Sequence, residues 1–359
     1  MTRLDRQQAF SGTKDIASGL GFDTERLGAY LALRLDGFGP PLTVRQFRGG
    51  QSNPTYLIET PTAKYVLRRK PPGKLLASAH AVDREYRVLS ALFRQGFPVA
   101  RPLHYCDDAD VIGTAFYVMA HVAGTVYWEP ELPGLTPAAR AGLYDTMNAT
   151  LARLHRFDPA EVGLADFGKP RGYVARQVRR WSENYRLSAT QDIPEMDRLI
   201  ALLPDRVPSD GRTAIVHGDY RLDNLIVDPA SGQVRAVLDW ELATLGDAYA
   251  DFVYHAMTWV MPRTSSGAGT GSLVGFDLTS MGIPALQNYV EMYAKRLGLN
   301  EIPHLEFYFA YNFFRLAAIL QGIVGRVRDG TATNADAAAM ADAVRPLAGR
   351  GLDYAMKLR

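Results

Sequence analysis

A short β-rich island inside a largely helical part of the chain constrains the fold more than any other feature. It reads TAIVHGDYRLDNLIVDPASGQVRAVLDWE. Two β-branched runs follow a polar loop, and the Pro- and Gly-containing stretch 229–232 marks a turn between them. The pattern predicts a strand ending at His217, a polar loop, and a hairpin of strands 225–227 and 234–238.

The residues before this island predict an antiparallel sheet. Thr24 is placed to cap a helix that ends before the Gly- and Pro-rich stretch 37–41. Short β-branched or aromatic runs then alternate with turns, and 78–94 has the apolar spacing of an amphipathic helix. The predicted strands are 42–47, 55–60, 64–69, 99–105 and 115–122. Together they predict a five-stranded sheet with one helix.

The residues after position 124 are mainly helical in pattern. Amphipathic helices are predicted at 137–156, 172–187, 284–297, 304–328 and 334–358. Asp247 and Asp251 in GDAYAD are expected to cap and fix a further helix, with direct participation in the chemistry as the alternative. The order of elements indicates an α+β, bilobal, protein-kinase-like fold. We expect an N-terminal nucleotide-binding lobe at 1–123, a hinge near 120–124, and a C-terminal catalytic and substrate-binding lobe at 124–359 that carries the inserted hairpin.

The polar loop and the hairpin contain the residue types that phosphoryl transfer requires. That reaction needs a carboxylate to orient the attacking hydroxyl and oxygen ligands for Mg²⁺. Asp219 and Asn224 match the H-x-D-x-x-x-x-N spacing, with Asp219 as the catalytic carboxylate and Asn224 as a metal ligand. Asp239 is the second predicted metal ligand. Glu241 is a further candidate, or a polar residue that opens the next turn.

A His-x-Asp triplet alone also occurs in turns whose Asp caps a backbone group. The combination of strand, HGD triplet, correctly spaced Asn, hairpin and LDWE favours the kinase interpretation. We expect His217 to brace the loop, because Asp219 already occupies the position that faces the hydroxyl.

The predicted sheet carries candidate nucleotide-binding residues. In kinases a strand-borne cation contacts the phosphates and pairs with a glutamate on a helix. Arg68 in YVLRRK replaces the usual lysine, and Glu85 is its expected partner. An ordinary surface ion pair is the competing interpretation. The loop GGQSNPTY and the hinge supply further candidates, namely Gly50, Gln51, Ser52, Asn53, Ala120 and Val122. A plain hairpin turn is the alternative for the loop.

These residues together resemble the aminoglycoside phosphotransferase and choline kinase superfamily, from about residue 42 onward. RGGQSNPTY, YVLRRKPPGKLL, GYVARQVRRWSENY, HGDYRLDNLIVD and VLDWELATLGDAYAD are similar to the kinase region associated with certain acyl-CoA dehydrogenases. The resemblance implies that ATP and Mg²⁺ are used to phosphorylate a hydroxyacyl-CoA at a 4-hydroxyl, with an acyl-CoA dehydrogenase as a partner in the same pathway. We expect no dehydrogenase activity from the chain itself.

Basic and aromatic residues on the helix predicted at 172–187 fit an anionic acceptor. The substrate candidates are Arg176, Arg180, Trp181, Tyr185 and, on a later helix, Arg315. A solvated basic helix face is the alternative. An amino sugar, a choline-like amine or another small alcohol remains possible as acceptor, since fold does not fix substrate. A nucleotide-binding scaffold without catalysis is the other alternative, because Arg68 stands at the lysine position.

Composition excludes several other classes. The formal net charge is +2, which gives no overall basic field for nucleic acid or a membrane surface. Cys106 is the only cysteine, so an internal disulfide and a cysteine-based zinc cluster are excluded. We expect a cytoplasmic protein without a signal peptide or a membrane-spanning run. The oligomeric state is not predicted.

Overall fold

The computed structural model describes residues 6–48, 53–72, 81–209, 211–263, 271–330 and 340–358. Two compact units share the chain. The first unit comprises Met1–Glu129, Val162–Leu164 and Leu222–Ala243, and the second comprises Pro130–Glu161, Ala165–Arg221 and Thr244–Arg359. The segment Leu222–Ala243 therefore clusters with the first unit, although the sequence analysis assigned it to the C-terminal lobe. The lobe boundary at 123/124 stays a prediction.

The strands among the described residues are named in chain order. They are β1 Thr13–Lys14, β2 Thr43–Phe47, β3 Thr55–Glu59, β4 Lys64–Arg69, β5 Pro102–Cys106, β6 Phe116–Ala120, β7 Thr213–Val216, β8 Leu225–Val227, β9 Val234–Val237 and β10 Thr244–Asp247. All predicted strands are present, with ends within three residues of the prediction. The sequence analysis missed β1 and β10.

The α-helices of the described residues are named in the same way. They are α1 Arg6–Phe10, α2 Thr24–Ala32, α3 Val82–Arg94, α4 Ala109–Ile112, α5 Pro137–Leu154, α6 Tyr173–Ser188, α7 Pro194–Leu202, α8 Ala248–Ala256, α9 Leu278–Met281, α10 Leu286–Arg296, α11 Leu305–Arg328 and α12 Ala341–Ala355. Of the helix predicted at 334–358, positions 334–339 lie outside the described residues. The sequence analysis did not predict α1, α4, α7 or α9, whereas α8 is the helix expected at Asp247 and Asp251, and Asp247 caps it.

The first unit is built on an antiparallel sheet with the order β1-β2-β3-β4-β6-β5. It has six strands rather than the predicted five, because β1 pairs with β2 at the edge. Helix α2 packs Leu27 and Leu31 into a core with Tyr56 and Leu67. Burial of these apolar side chains is the main favourable contribution to folding. The cap of α2 is Asp23 rather than Thr24, since the Asp23 carboxylate accepts from the Arg26 N–H at 2.9 Å.

The hairpin of β8 and β9 also belongs to the first unit. The backbone of Thr125 bonds to Val227 in both directions, at 2.8 and 2.9 Å. This contact requires Gly124, because a Cβ atom there would lie 2.5 Å from Ile226 Cγ2 and 2.7 Å from the Val227 carbonyl oxygen. The segment after β6 is thereby joined to the strand that follows Asn224.

The second unit is mainly helical. Its strands β7 and β10 pair to form a two-stranded sheet. Helix α11 is its central element and packs against α6, α8 and α12. Among the described residues, α11 is also the one helix long and apolar enough to cross a membrane. However, 78% of its apolar window is buried inside the protein, as in a core helix. The sequence analysis expected no run long enough to span a bilayer, and α11 departs from that expectation by its length and composition.

Candidate active site

Arg68 lies at the centre of a buried group of charges in the first unit. It projects from β4, and only 9% of its side chain is exposed. Its Nε atom lies 2.8 Å from Glu85 Oε2, and Nη2 lies 2.6 Å from Asp239 Oδ1. Glu241 Oε2 is 3.6 Å from the same Nη2. The predicted pair of Arg68 and Glu85 is therefore present, and it is buried rather than on the surface.

Glu85 is fixed from three directions. Besides Arg68, it accepts hydrogen bonds from Asn53 Nδ2 at 2.7 Å and from the Tyr117 hydroxyl at 3.0 Å. Burial opposes the charge on Arg68, but the carboxylates of Glu85 and Asp239 outweigh it and raise the pKa of Arg68. The guanidinium is thus held permanently charged and in one orientation.

Asn53 has a partner in the first unit. Its side chain is fully buried and donates to Glu85, and its predicted role toward a nucleotide, in a phosphate-covering loop, stays a prediction. Gly50, Gln51 and Ser52, the other residues of that predicted loop, lie outside the described residues. Their assignment to a nucleotide stays a prediction.

The β8–β9 hairpin brings the two predicted metal ligands together. Leu225 pairs with Val237, and the Leu238 N–H donates to the Asn224 carbonyl at 2.8 Å. Asp239, the next residue, has a left-handed backbone with φ of 62°. An amide and a carboxylate oxygen are ligand types that Mg²⁺ accepts, so Asn224 and Asp239 fit such an ion. Arg68 already contacts one oxygen of Asp239, and a bound cation would share that carboxylate with it.

A cavity of about 490 Å³ opens beside these residues within the first unit. The polar side chains of Arg68, Asn224 and Asp239 border one part of it. Apolar residues dominate elsewhere, among them Val66, Leu89, Met119, Ile226 and Val237. Ala120 and Val122, predicted from the hinge position, also line it. An apolar pocket with a charged end suits a ligand with a flat base and phosphates.

The sequence analysis missed the N-terminal contribution to this cavity. Gln7 and Phe10 of α1 are among the lining residues. Gln7 Nε2 donates to the Val126 carbonyl at 2.9 Å, and the Phe10 ring lies 5.0 Å from that of Trp128. A five-residue helix has too little periodicity to be recognised from sequence.

Asp219 lies in the second unit, in the loop after β7. Its Oδ1 atom accepts a hydrogen bond from the Tyr254 hydroxyl at 2.7 Å and lies 3.0 Å from Arg221 Nε. About a fifth of its side chain is exposed, at 21%. A carboxylate that is oriented but still reachable is what a catalytic base requires.

The backbone around Asp219 is held by a buried acidic residue of α8. Asp251 accepts from the N–H groups of His217 and Gly218, both at 2.8 Å, and contacts His155 Nε2 at 3.1 Å. His217 Nδ1 in turn accepts from the Asp219 N–H at 3.2 Å. His217 therefore braces the loop, as its position in the motif suggested.

Two further residues of the second unit contact the Asp219 loop. The Arg315 guanidinium donates to the Gly218 carbonyl at 3.0 Å and lies over the Tyr254 ring, 5.0 Å from its centroid. Arg315 was predicted as a substrate residue, whereas Tyr254 was not identified at all. Tyr254 lies in α8, which is buried on all sides and has no amphipathic pattern.

The candidate substrate residues on α6 have local partners. The Arg176 guanidinium donates to the carbonyls of Lys169 and Arg171. Arg180 is exposed and lies over the Trp181 ring at 5.5 Å, while Tyr185 is buried in the unit. Of these, Arg180 and Trp181 present a basic and aromatic surface. A substrate role for the group stays a prediction.

Comparisons with known proteins identify the family of the chain. A sequence model described as the phosphotransferase enzyme family matches residues 43–281. The mouse protein named acyl-CoA dehydrogenase family member 10 is 44% identical over 320 residues, covering 88% of this chain and 30% of that protein. The chain thus spans less than a third of the length of this relative.

Solved structures share the fold. A Ralstonia eutropha protein assigned to the aminoglycoside phosphotransferases is 44% identical, with a TM-score of 0.86 and coverage of 94% of this chain and 100% of that chain. A spectinomycin phosphotransferase solved with ADP and spectinomycin is 11% identical, with a TM-score of 0.58 and coverage of 92% and 98%, and shows likeness of fold alone. The protein-kinase-like α+β fold predicted from the sequence is confirmed. The family match over residues 43–281 and the close structural relative show that the chain belongs to the phosphotransferase enzyme family.

Proposed function

We propose that the protein is an ATP- and Mg²⁺-dependent kinase that phosphorylates a hydroxyl group of a small molecule. The observation that carries this proposal is the oriented carboxylate of Asp219, at 2.7 Å from the Tyr254 hydroxyl. It lies five positions before Asn224 in one loop of the chain. The charged end of the first-unit cavity supports nucleotide binding, with Arg68, Asn224 and Asp239 as the residues that contact phosphates or metal.

The reaction would proceed by direct displacement. The acceptor hydroxyl oxygen forms a bond to the γ-phosphorus of ATP, the bond from that phosphorus to the ADP oxygen breaks, and the hydroxyl proton passes to Asp219. A bound Mg²⁺ ion would neutralise charge on the phosphate oxygens. Asn224 and Asp239 supply its protein ligands, and Arg68 supplies a fixed positive charge. Glu85 holds that arginine in place.

The acceptor that we propose is a hydroxyacyl-CoA, in the degradation of hydroxylated acids. The named relative is an acyl-CoA dehydrogenase family member, and a kinase and a dehydrogenase acting on one acyl thioester would form consecutive steps. The exposed Arg180 beside Trp181 suits an anionic, partly aromatic ligand such as CoA. Polycationic acceptors would instead require an acidic surface.

An ADP-release assay with Mg-ATP tests the proposal. The acceptor panel contains 4-hydroxyacyl-CoAs, the free hydroxy acids, choline and aminoglycosides. We expect turnover with a hydroxyacyl-CoA, and a loss of about 100-fold or more in kcat for Asp219→Asn. Asp228→Asn is the matched control, because Asp228 lies on the exposed turn of the hairpin and contacts Arg235.

The alternative outcomes separate the parts of the proposal. Turnover with choline or an aminoglycoside would keep the chemistry and reject the acyl-CoA acceptor. Nucleotide binding without turnover on any acceptor would reject the kinase and favour a nucleotide-binding scaffold.

A further inference from the structure

Tyr254 lies on α8, and its hydroxyl donates a hydrogen bond to the Asp219 carboxylate. Its hydroxyl lies 2.7 Å from Oδ1, and only 8% of the residue is exposed. Burial and the charge of Asp219 both raise the pKa of Tyr254, so the hydroxyl keeps its proton and acts as a donor. A short hydrogen bond from a buried neutral donor orients a carboxylate and leaves its negative charge in place.

The position of Tyr254 is itself fixed by its surroundings. The Arg315 guanidinium covers one face of its ring at 5.0 Å and also binds the carbonyl of Gly218, the residue before Asp219. The same α8 carries Asp251, which accepts from the His217 and Gly218 N–H groups. One helix therefore holds the loop backbone through Asp251 and the Asp219 side chain through Tyr254.

We propose that Tyr254 is a positioning residue for phosphoryl transfer, which sets the orientation of the Asp219 carboxylate towards the acceptor hydroxyl. The proposal rests on the kinase function proposed above. Arg221 contacts the same Oδ1 atom at 3.0 Å, but both side chains of that pair are about a fifth to a quarter exposed. A partly exposed side chain with several rotatable bonds orients a carboxylate less strictly than a buried phenol does. Tyr254 therefore supplies the fixed contact.

The variant Tyr254→Phe removes the hydroxyl and keeps the ring beneath Arg315. We expect kcat to fall about tenfold, equivalent to about 1.4 kcal/mol of transition-state stabilisation. The KM for Mg-ATP should change less than about twofold, because the nucleotide residues lie in the first unit. A loss confined to kcat distinguishes positioning from general damage to the fold.

Tyr308→Phe is the matched control. The Tyr308 hydroxyl donates to Asp247 Oδ2 at 2.9 Å, so this variant also removes a buried phenol-to-carboxylate hydrogen bond at α8. Asp247 caps the start of that helix and does not contact the Asp219 loop in the described contacts. We expect Tyr308→Phe to keep kcat within about twofold. The proposal would be overturned if kcat fell equally in the two variants. It would also be overturned if kcat and the KM for Mg-ATP changed in parallel in Tyr254→Phe.

Hydrogen–deuterium exchange of the same proteins gives a readout that needs no acceptor. In Tyr254→Phe the amides of 217–221 should exchange faster than in the wild type and in Tyr308→Phe. If the wild-type protein transfers phosphate to no acceptor, the kinase function fails, and exchange alone decides whether Tyr254 holds the loop. Unchanged exchange at 217–221 in Tyr254→Phe would reject the positioning role whatever the activity.

Discussion

The two units hold their key charged residues in different ways. In the first unit, Arg68 is almost fully buried and contacts three carboxylates, and Glu85 is 1% exposed. In the second unit, Asp219 is about one-fifth exposed and receives a hydrogen bond from a neutral phenol. Charges that only hold a ligand can be locked by buried ion pairs. The catalytic role proposed for Asp219 requires a carboxylate that stays reachable, and its buried donor, the Tyr254 hydroxyl, is neutral.

The largest effect that we expect from this comparison is on the free energy of unfolding of an Arg68 variant. Arg68→Met leaves the buried Glu85 carboxylate without its cation, and removing one partner of a buried pair costs about 3–5 kcal/mol. We expect the free energy of unfolding to fall by that amount in urea denaturation. Arg45→Met is the control, since the pair of Arg45 and Asp15 is largely exposed. A loss below about 1 kcal/mol for Arg68→Met would show that the first-unit network is not a stabilising one.

The sequence analysis predicted the contact of Arg68 with Glu85 but not the other contacts of the two networks. Arg68 and Asp239 were each recognised from a local motif, yet they are 171 positions apart and their 2.6 Å contact depends on how β4 meets the hairpin. Local patterns carry no information about which side chains meet across such a distance. The contacts of Asn53 and Tyr117 with Glu85 were not predicted for the same reason.

The sheet and helix α8 show where periodicity succeeds and fails, since α8 was expected only from its acidic cap residues. Strands β2, β3 and β4 were predicted to within one residue, because β-branched runs alternate with clear turns. In α8, all nine residues from Ala248 to Ala256 are buried, so no polar face marks the helix. Tyr254 and the loop-holding contacts of Asp251 were therefore visible only in the structure.

A further expected effect in the second unit appears in acid. Burial lowers the pKa of His255 from 6.5 to about 4 in the second unit, where its Nε2 lies 2.8 Å from the Tyr289 hydroxyl. The unfolded chain binds the proton at higher pH than the folded chain does. The stability contributed by neutral His255 is therefore complete above about pH 6.5. It declines as the pH falls from 6.5 towards 4, by up to about 3 kcal/mol.

Denaturation of the wild type and of His255→Gln, each measured across pH 4 to 7, gives this contribution to the free energy of unfolding. The variant should lose less stability on acidification than the wild type does. His304→Asn, at an exposed histidine before α11, should keep the wild-type slope. Equal slopes for His255→Gln and the wild type would show that acid acts on other groups of the second unit.

The smallest expected effect completes the comparison of the two arginines. Arg221 pairs with Asp219 at 3.0 Å, as Arg68 pairs with Glu85 at 2.8 Å, but 24% of the Arg221 side chain is exposed against 9% for Arg68. An ion pair with partial access to solvent contributes less than a fully buried one, because water and salt screen it. Arg221→Met should therefore lower the free energy of unfolding by less than Arg68→Met does, by about 1 kcal/mol, and by less in 1 M salt. If Arg221→Met costs as much as Arg68→Met under the same conditions, burial is not what separates the two networks, and the second unit also depends on a locked ion pair to hold its carboxylate.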